Sequence, residues 1–420
     1  MLDLGKGHPH SSYLPLQQLL QDAQQAHVIN GSAVNEEESL QYGDEQGSMR
    51  FRKALFALMR EDRPSLQEER FVKRVIQTSG CSQGIDLICS RLTEPGDVVL
   101  VETPSYFLVK DIFRQHGLIP HRIPVNQGET GNTESQGSMD LRKLEDLLER
   151  QEIRPQFLYT VPVCNNPMGF SLSRECADNL IRLANRFHFK IVADEVYLLL
   201  QFAATKKLPV ASLFDRPGAS DCVISVNSFS KILGPGIRLG WIEANEEIIH
   251  TLMHSGFVQS GGGTNPFAAS LVSAYIESGN QQQHIHHLRT EYQERYSALC
   301  LALKKYLGAT EEPPCVVLQD SCRQTCYVPV EGGFFMWLRF ASKLCIDSTL
   351  LLQQARVADK PVTFISGKRF LVDQENDSLE PPFARQGIRL CFAYLDREDL
   401  QEAVKRLKYV IDQYQPSAAP

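Results

Sequence analysis

Residues 222–240 read CVISVNSFSKILGPGIRLG, and the rest of the chain is organised around them. The apolar run at 223–226 is the pattern of a buried β-strand, and a polar segment follows it directly. Lys231 stands in that segment among serines, and Arg238 follows seven positions later among glycines. A lysine and an arginine set among small residues behind a buried strand indicate a site rather than a packing surface.

The same succession of a short apolar strand, a polar turn and a helix recurs along the chain. Further apolar strands are predicted at 74–78, 97–101, 157–162 and 190–194. Short strands alternating with helices favour an α/β fold with a mostly parallel sheet covered by helices on both faces. Such sheets place their sites at the carboxyl ends of the strands, where each polar candidate below is found. Two stretches break the alternation: 127–138, predicted to be a mobile loop, and 373–387, predicted to be irregular.

A smaller α+β lobe is predicted beyond the first part of the chain. Strands at 332–339 and 387–392 follow a long helix at 281–306, and a helix at 397–413 closes the chain. Because 420 residues exceed the usual size of a single core, we expect two lobes. The predicted units are an N-terminal arm that joins the small domain (1–35), a large domain (36–285) and a small C-terminal domain (286–420).

The composition is that of a folded enzyme without a polyanionic partner. Hydrophobic residues make up 43% of the chain and charged residues 22%, and the formal net charge is -7. This charge gives no attraction to nucleic acid or to an anionic membrane surface, and no apolar run reaches the ~20 residues of a membrane span. The 11 cysteines contain no C-x-x-C pair and no apolar leader is found, which together predict a reducing, cytoplasmic location.

Lys231 and Asp194 are the first candidates for chemistry. A lysine amine can hold a carbonyl cofactor as a Schiff base, and a carboxylate can keep a pyridine nitrogen protonated so that the ring withdraws electrons. Tyr197 lies three residues beyond Asp194, and Asn166 lies in a turn past another predicted strand; both could donate to a phenolate oxygen. Each of these residues alone could be a cap, a turn residue, a core residue or a solvated charge. Their order and spacing therefore carry the prediction.

A phosphate site is predicted where a glycine turn opens a helix. Such a site needs backbone N–H groups at a helix start and a fixed cation. The candidates are Gly80, Cys81 and Ser82 at the predicted helix start, and Arg238 with Ser228 and Ser230 in the lysine segment. The run Gly80-x-Ser82-x-Gly84 also fits the nucleophile elbow of a serine hydrolase, which leaves Ser82 as an alternative nucleophile.

Taken together, these residues resemble the fold-type I pyridoxal-phosphate aminotransferases of class I/II. Within them the chain is similar to the 2-aminoadipate aminotransferase-like branch, which also forms the catalytic-like half of MocR-type regulators. The resemblance covers almost the whole chain and rests on Tyr42-Gly43-Asp44-Glu45-Gln46-Gly47, Thr78-Ser79-Gly80, Asn166-Pro167-x-Gly169, Asp194-Glu195-Val196-Tyr197, Ser228-Phe229-Ser230-Lys231 with Pro235-Gly236-x-Arg238-x-Gly240, Glu331-Gly332-Gly333 and Ile388-Arg389-Leu390-x-Phe392. Met168 replaces the usual threonine of the turn, Cys81 replaces a common serine, and 259–266 departs from the branch, so the side-chain specificity stays open.

The resemblance implies pyridoxal 5'-phosphate as the cofactor and a homodimer as the assembly. By this resemblance Lys231 forms the Schiff base and carries the proton, while Asp194 pairs with the pyridine nitrogen. The remaining implied contacts are Asn166 and Tyr197 at the phenolate oxygen, Tyr106 stacked on the ring, Gly80, Cys81, Ser82, Ser228, Ser230 and Arg238 around the phosphate, Arg389, Asn166 and Gly7 at the substrate, and Tyr42 reaching the phosphate from the partner subunit. No nucleic acid, membrane or metal is implied, since the histidines at 284–287 lie in a predicted helix without a second ligand group.

The implied activity is transamination from a 2-aminoadipate-like or aromatic amino acid to a 2-oxo acid such as 2-oxoglutarate. One alternative keeps the cofactor and is a lyase that cleaves a C–S bond or forms a cyclopropane. The others are a non-catalytic cofactor-binding sensor and the serine hydrolase using Ser82. Since the sequence begins close to its first predicted strand, we expect no winged-helix DNA-binding domain, and the joint presence of Lys231 and Arg389 argues against a sensor.

Overall fold

The computed structural model describes residues 1–29, 39–123, 139–202, 211–313, 317–318, 322–372 and 381–415; the loop predicted at 127–138 lies outside them. The strands are β1 (Leu2–Asp3), β2 (Val75–Thr78), β3 (Val98–Val101), β4 (Ile119–Arg122), β5 (Pro155–Thr160), β6 (Lys190–Asp194), β7 (Val223–Ser228), β8 (Gly240–Glu243), β9 (Thr310–Glu311), β10 (Cys326–Tyr327), β11 (Phe335–Arg339), β12 (Val362–Thr363), β13 (Ile365–Ser366) and β14 (Gly387–Cys391). The helices are α1 (Leu16–Ile29), α2 (Met49–Arg60), α3 (Glu68–Phe71), α4 (Cys81–Leu92), α5 (Val109–Gln115), α6 (Leu141–Glu149), α7 (Arg174–Phe187), α8 (Glu246–Met253), α9 (Gly256–Gly261), α10 (Pro266–Glu277), α11 (Asn280–Leu307), α12 (Ser348–Val357), α13 (Pro382–Arg385) and α14 (Arg397–Asp412). Within these ranges none of the helices combines the length and apolarity that crossing a membrane requires.

One large sheet dominates the fold. Its strand order is β2-β8-β7-β6-β5-β3-β4, and β8 is antiparallel to both of its neighbours, while the run from β7 to β4 is parallel. The prediction of a mostly parallel α/β sheet is thus confirmed. The sequence does not predict β4 or β8, because β4 is an edge strand containing Pro120, His121 and Arg122 and β8 ends in the buried Glu243.

Alternate residues of the central strands enter two separate cores, one on each face of the sheet. Val99 and Val101 belong to one core, and Leu100 between them belongs to the other. Helices α2, α4, α5 and α8 contribute to the first core, and α6 and α7 to the second. Strands buried on both faces read as continuous apolar runs, which is why the sequence reveals them.

The parallel strands bring polar residues to one edge of the sheet. β6 ends at Asp194 and β7 ends at Ser228. The chain leaving β5 reaches Asn166, the chain leaving β3 reaches Tyr106, and Gly80 stands between β2 and α4. This edge is where the sequence places the site.

A five-stranded sheet in the order β13-β14-β11-β10-β9 forms the second β-structure. β1 pairs in parallel with β12, so the N-terminal segment packs against the C-terminal part of the chain. The irregular stretch predicted at 373–387 is corrected in its described part, because its residues from 382 onward form α13 and begin β14; residues 373–380 lie outside the described ranges. Helix α11 runs without a break across position 285, and the division into three units stays a prediction.

Candidate active site

A cavity of about 390 Å³ opens at the carboxyl edge of the large sheet, where it meets β11, β13 and β14. Most of the sequence-predicted site residues line it: Gly7, Cys81, Ser82, Tyr106, Asn166, Asp194, Tyr197, Ser228, Ser230, Lys231, Arg238 and Arg389. Gly80 adjoins Arg238 at its border. Tyr42 does not line this cavity and lies instead in a separate hollow with Gly262 and Gly263.

The amine of Lys231 is held near the N-terminal segment. Its Nζ donates a 2.8 Å hydrogen bond to the carbonyl oxygen of Gly7 and lies 5.3 Å from the centre of the Phe334 ring. Burial lowers the pKa of Lys231 from 10.5 to about 8, and the nearby charge of Arg389 acts in the same direction. A lysine with this pKa is partly neutral near physiological pH, which a carbonyl nucleophile requires.

Asp194 presents one oxygen that has no hydrogen-bond partner. Its Oδ2 accepts a 2.8 Å hydrogen bond from the Tyr159 hydroxyl, whereas Oδ1 is buried without a partner among the described residues. Burial raises the pKa of Asp194, and the Tyr159 hydroxyl, the Cys81 thiol and Lys231 oppose this rise. A buried carboxylate oxygen left unpaired costs about 1–3 kcal/mol, so this atom suits a ligand that brings an N–H donor.

The start of α4 and Arg238 form an anion-binding corner. Gly80 precedes α4 with a φ of 91°, and no side chain caps the helix start. Arg238 Nη1 donates to Ser230 Oγ at 3.3 Å, and Nη2 donates to the Ser79 carbonyl at 3.0 Å. A Cβ at Gly80 would lie 2.8 Å from Arg238 Nη2, so glycine is needed for the guanidinium to approach the helix start. Backbone N–H groups and a fixed guanidinium together favour a phosphate.

Arg389 forms a second anion-binding subsite, which suits a carboxylate. It is 4% exposed in β14, its Nη1 donates to Asn166 Oδ1 at 2.9 Å, and its Nη2 donates to the Gly5 carbonyl at 2.7 Å. Its guanidinium carbon lies 3.9 Å from the centre of the Phe335 ring. Burial lowers the pKa of Arg389 to about 10, so the side chain stays charged at neutral pH. A fixed planar guanidinium of this kind binds carboxylates through two parallel hydrogen bonds.

Two tyrosines complete the predicted set. Tyr106 is half-buried, and burial raises its pKa to about 12, so its phenol is neutral at physiological pH. Tyr197 is buried against Phe334 and Phe335, with ring centres 5.5 and 5.9 Å apart. Both tyrosines line the cavity. A tyrosine there can contact a bound aromatic ring either through its own ring face or through its hydroxyl group.

Sequence reasoning misses several groups that shape the site. Tyr159 lies within the apolar run of β5, and its hydroxyl is the partner of Asp194. The available signal is that a phenol in a buried strand usually needs a hydrogen-bond partner. Gly5 and Phe335, which hold Arg389, carry no comparable signal, since their contacts arise from tertiary packing.

The geometry around Ser82 does not support a hydrolase. Ser82 is exposed at the start of α4, and within the described ranges no histidine lies within hydrogen-bond distance of it. The histidine of the cavity lining is His8, whose pKa is lowered by burial and by Lys231 and Lys6. A nucleophilic serine needs a base and an orienting acid. In the part of the chain that the structure describes, no cluster of His, Cys, Asp or Glu is arranged to hold a metal ion.

Comparison with known proteins shows which class of enzyme has this fold and this cavity: the aminotransferases. The chain belongs to the aminotransferase class I and II family, which it matches over residues 1–407. Aromatic-amino-acid aminotransferase 1 of Thermococcus litoralis is 29% identical over 89% of this chain and 80% of its own length. The 2-aminoadipate transaminase of Thermus thermophilus is 28% identical over 80% of this chain and 74% of its own. The crystal structure of Pyrococcus horikoshii kynurenine aminotransferase in complex with PMP matches with a TM-score of 0.78 and 25% identity, covering 98% of this chain and 91% of that one.

These comparisons confirm the resemblance and make the chain a pyridoxal-phosphate-dependent aminotransferase acting on amino and 2-oxo acids. The residues present fit that cofactor. Asp194 Oδ1 is a buried acceptor without a protein donor among the described residues, and the glycine at position 80 leaves an open corner beside Arg238.

Proposed function

We propose that this aminotransferase moves the amino group of a 2-aminoadipate-like or aromatic amino acid to a 2-oxo acid such as 2-oxoglutarate. The observation that carries the proposal is that Lys231, Asp194 and Arg389 line one cavity. When bound, pyridoxal phosphate supplies an electron-withdrawing ring that stabilises negative charge at the substrate Cα.

Each end of the cavity is proposed to hold one part of the cofactor. Asp194 Oδ1 would accept from the pyridine nitrogen, and Tyr106 would stack on the ring. Because Asn166 Oδ1 already accepts from Arg389, its Nδ2 is the group left to donate to the phenolate oxygen beside Tyr197. The phosphate would be held by Gly80, Cys81, Ser82, Ser228, Ser230 and Arg238.

The protein groups then orient the substrate and move its proton. Arg389 would bind the α-carboxylate through its guanidinium fork and so fix the position of Cα. Lys231 Nζ would hold the cofactor covalently until the substrate amine displaces it, and the freed lysine amine would then take the proton from Cα. A pKa of about 8 supports this role, because a general base works best when its pKa lies near the working pH.

A homodimer that shares its sites is part of the proposal. Tyr42 is 82% exposed, and Leu40 and Phe257 are 73% and 67% exposed. Gly43 N donates to Gly262 O at 2.9 Å, and Asn265 Nδ2 donates to Arg238 O at 2.9 Å. The loop that contains Gly262 and Asn265 therefore contacts both the Tyr42 segment and Arg238, the arginine proposed to bind the phosphate. Exposed large apolar side chains of this kind support an interface, through which Tyr42 would reach the phosphate of the partner subunit. A cytoplasmic location is proposed as well, supported by the free thiols of the described cysteines.

A panel of amino donors with 2-oxoglutarate tests the function. The loaded enzyme should show a visible absorbance band that each productive donor bleaches and that an oxo acid restores, and Lys231→Ala should lack the band. Donor breakdown without any oxo-acid acceptor would identify a lyase instead. A protein that stays colourless with excess cofactor would contradict the proposal.

A further inference from the structure

A buried carboxyl group that the proposed transamination does not use lies behind the cavity. Glu102 follows β3 directly and is fully buried. In the described chain, its hydrogen-bond donors all belong to the end of β5 and the segment that leaves it. Val161 N and Asn165 Nδ2 donate to Oε1 at 2.8 Å each, and Thr160 Oγ1 donates to Oε2 at 3.1 Å. One acidic side chain therefore joins the ends of two neighbouring parallel strands.

Asn165 connects this carboxyl group to the turn that carries Asn166. Its Nδ2 donates to Glu102, and its Oδ1 accepts from Met168 N at 3.0 Å. Its backbone carbonyl accepts from Gly169 N at 2.7 Å. The side chain of Asn165 is thus held at both its amide nitrogen and its oxygen, so the residue that follows it in the chain starts from a fixed position.

Asn166 is the residue through which this arrangement reaches the cavity. It is buried, lines the cavity and accepts from Arg389 Nη1 at 2.9 Å through its Oδ1. Under the proposed function its Nδ2 donates to the phenolate oxygen of the cofactor, while Arg389 binds the α-carboxylate of the substrate. A small shift of Asn166 would therefore disturb the cofactor and the substrate arginine together.

A second loop of the site also begins at Glu102. Tyr106, which is proposed to stack on the cofactor ring, follows Glu102 by four residues and lines the cavity. The hydrogen bonds of Glu102 therefore tie the start of the Tyr106 loop to the turn that carries Asn166. Both of these loops would contact the same cofactor.

The contacts of Glu102 do not require a negative charge. Burial raises the pKa of Glu102 to about 8, and the charge of Asp194 acts in the same direction, while the three hydrogen bonds oppose the rise. The protonated form therefore predominates near neutral pH. In this form Oε1 still accepts from both N–H groups, and the proton on Oε2 can be donated to Thr160 Oγ1. Glutamine has the same shape, with an acceptor and a donor in these two places.

We propose that Glu102 is a positioning residue: through Asn165 it holds Asn166 in the place from which that side chain contacts the cofactor. The same arrangement keeps Arg389 in position for the α-carboxylate. This inference rests on the proposed function of Asn166 and goes beyond it, because Glu102 acts from outside the cavity.

Two substitutions of Glu102 separate its hydrogen bonds from its charge. Glu102→Leu removes the acceptor of Val161 N and Asn165 Nδ2, whereas Glu102→Gln keeps it. Hydrogen–deuterium exchange of residues 161–170, measured on the apoenzyme, should be faster in Glu102→Leu and unchanged in Glu102→Gln. This measurement needs neither cofactor nor substrate.

The pH titration of the visible band of the loaded enzyme reports on Asn166. The negative phenolate oxygen stabilises a proton on the nitrogen that joins Lys231 to the cofactor, and a donor from Asn166 weakens this effect. Losing the donor should therefore raise the midpoint of the titration. We expect a rise of about one pH unit in Glu102→Leu and the wild-type midpoint in Glu102→Gln. The value of kcat/KM should fall by about 10- to 100-fold for every donor in Glu102→Leu alone.

Leu100→Ala is the control for a loss of stability without a loss of these contacts. Leu100 is fully buried in β3, two residues before Glu102, so its truncation leaves a cavity beside the same strand. The midpoint of the visible band should stay at its wild-type value in this variant. An equal rise in Leu100→Ala and Glu102→Leu would overturn the proposal.

The remaining outcomes are also decisive. A folded Glu102→Leu enzyme with the wild-type midpoint, or a Glu102→Gln enzyme that behaves like Glu102→Leu, would overturn the proposal. If Glu102→Leu does not fold, Asn165→Ala tests the same path, because Glu102 keeps its bonds to Val161 and Thr160; a wild-type midpoint there would again overturn it. A wild-type protein that never develops the visible band would instead reject the proposed function, while exchange in the apoenzyme would still show whether Glu102 holds the turn.

Discussion

The Tyr159 hydroxyl donates a 2.8 Å hydrogen bond to Oδ2 of Asp194, and it is this contact that leaves Oδ1 as the free acceptor of the carboxylate. The two residues lie on the neighbouring parallel strands β5 and β6. The hydroxyl both orients the carboxylate and lowers its pKa against the effect of burial. Tyr159 is thus a positioning residue that acts through Asp194.

Tyr159→Phe should weaken cofactor binding without disturbing the core. The ring would keep its packing on Phe113, 5.9 Å away, while the pKa of Asp194 would rise further. A more readily protonated carboxylate holds a protonated pyridine nitrogen less firmly, so we expect the cofactor dissociation constant to rise by about 5- to 10-fold. Titration of the apoenzyme with pyridoxal phosphate measures it. Tyr292→Phe is the matched control, because the Tyr292 hydroxyl is buried without a partner among the described residues, and an equal effect there would contradict the prediction.

The rate of cofactor attachment should rise with pH. Attachment needs the neutral amine of Lys231, whose pKa is lowered to about 8, so the rate should increase up to that pH and level off above it. Arg389 contributes to lowering this pKa, so Arg389→Met should move the midpoint upward. Stopped-flow absorbance of the apoenzyme mixed with cofactor measures both profiles. A midpoint in the ordinary lysine range, near ~10.4, would contradict the prediction.

Arg389→Lys should impair every donor alike. Lysine cannot replace the planar guanidinium group that hydrogen bonds to Asn166 and Gly5 hold in position. We therefore expect kcat/KM to fall by about 100-fold or more for acidic, aromatic and aliphatic amino acids. The cofactor affinity should stay within about 2-fold, because the phosphate corner and Asp194 are untouched. A loss confined to one class of donor would show that Arg389 does not bind the α-carboxylate.

Gly169→Ala should destabilise the turn that carries Asn166. Gly169 has a φ of 83°, and a Cβ there would overlap the Val330 side chain and the Phe335 carbonyl oxygen. Gly96 has a φ of 95° but open space around it, so Gly96→Ala reports the cost of the backbone conformation alone. We expect the free energy of unfolding to fall by about 2 kcal/mol more in Gly169→Ala than in Gly96→Ala, as measured by urea denaturation. Equal losses would mean that the close approach is relieved elsewhere.

The sequence predicts the site better than it predicts the groups that support it. β6 is recognised with the same limits as in the structure, because a strand buried on both faces is a plain apolar run. The antiparallel β8 and the edge strand β4 carry mixed sequences and are missed. Likewise Lys231 and Asp194 stand in motifs, whereas Tyr159 acts through Asp194, a neighbour that only folding supplies. A residue that tertiary packing alone brings to the site has no recognisable sequence motif around it.

Mixed dimers test whether Tyr42 serves the partner subunit. Tyr42 lies outside the Lys231 cavity of its own chain and is 82% exposed, so a role at the phosphate requires a second subunit. A dimer that combines one Lys231→Ala chain with one Tyr42→Ala chain would then contain one site with both residues intact. If Tyr42 acted within its own chain, neither site would be intact.

We therefore expect the purified mixed dimer to show about half of the wild-type activity, while Lys231→Ala alone is inactive and Tyr42→Ala alone retains about a tenth, the effect of one lost phosphate hydrogen bond. Differently tagged chains allow the mixed dimer to be isolated, and a mixture of wild-type and Lys231→Ala chains calibrates the activity of one site. A mixed dimer with only half of the Tyr42→Ala activity would place Tyr42 in its own site. A monomer in solution would reject the shared site altogether, since within one chain the Tyr42 ring lies in a hollow separate from the phosphate corner.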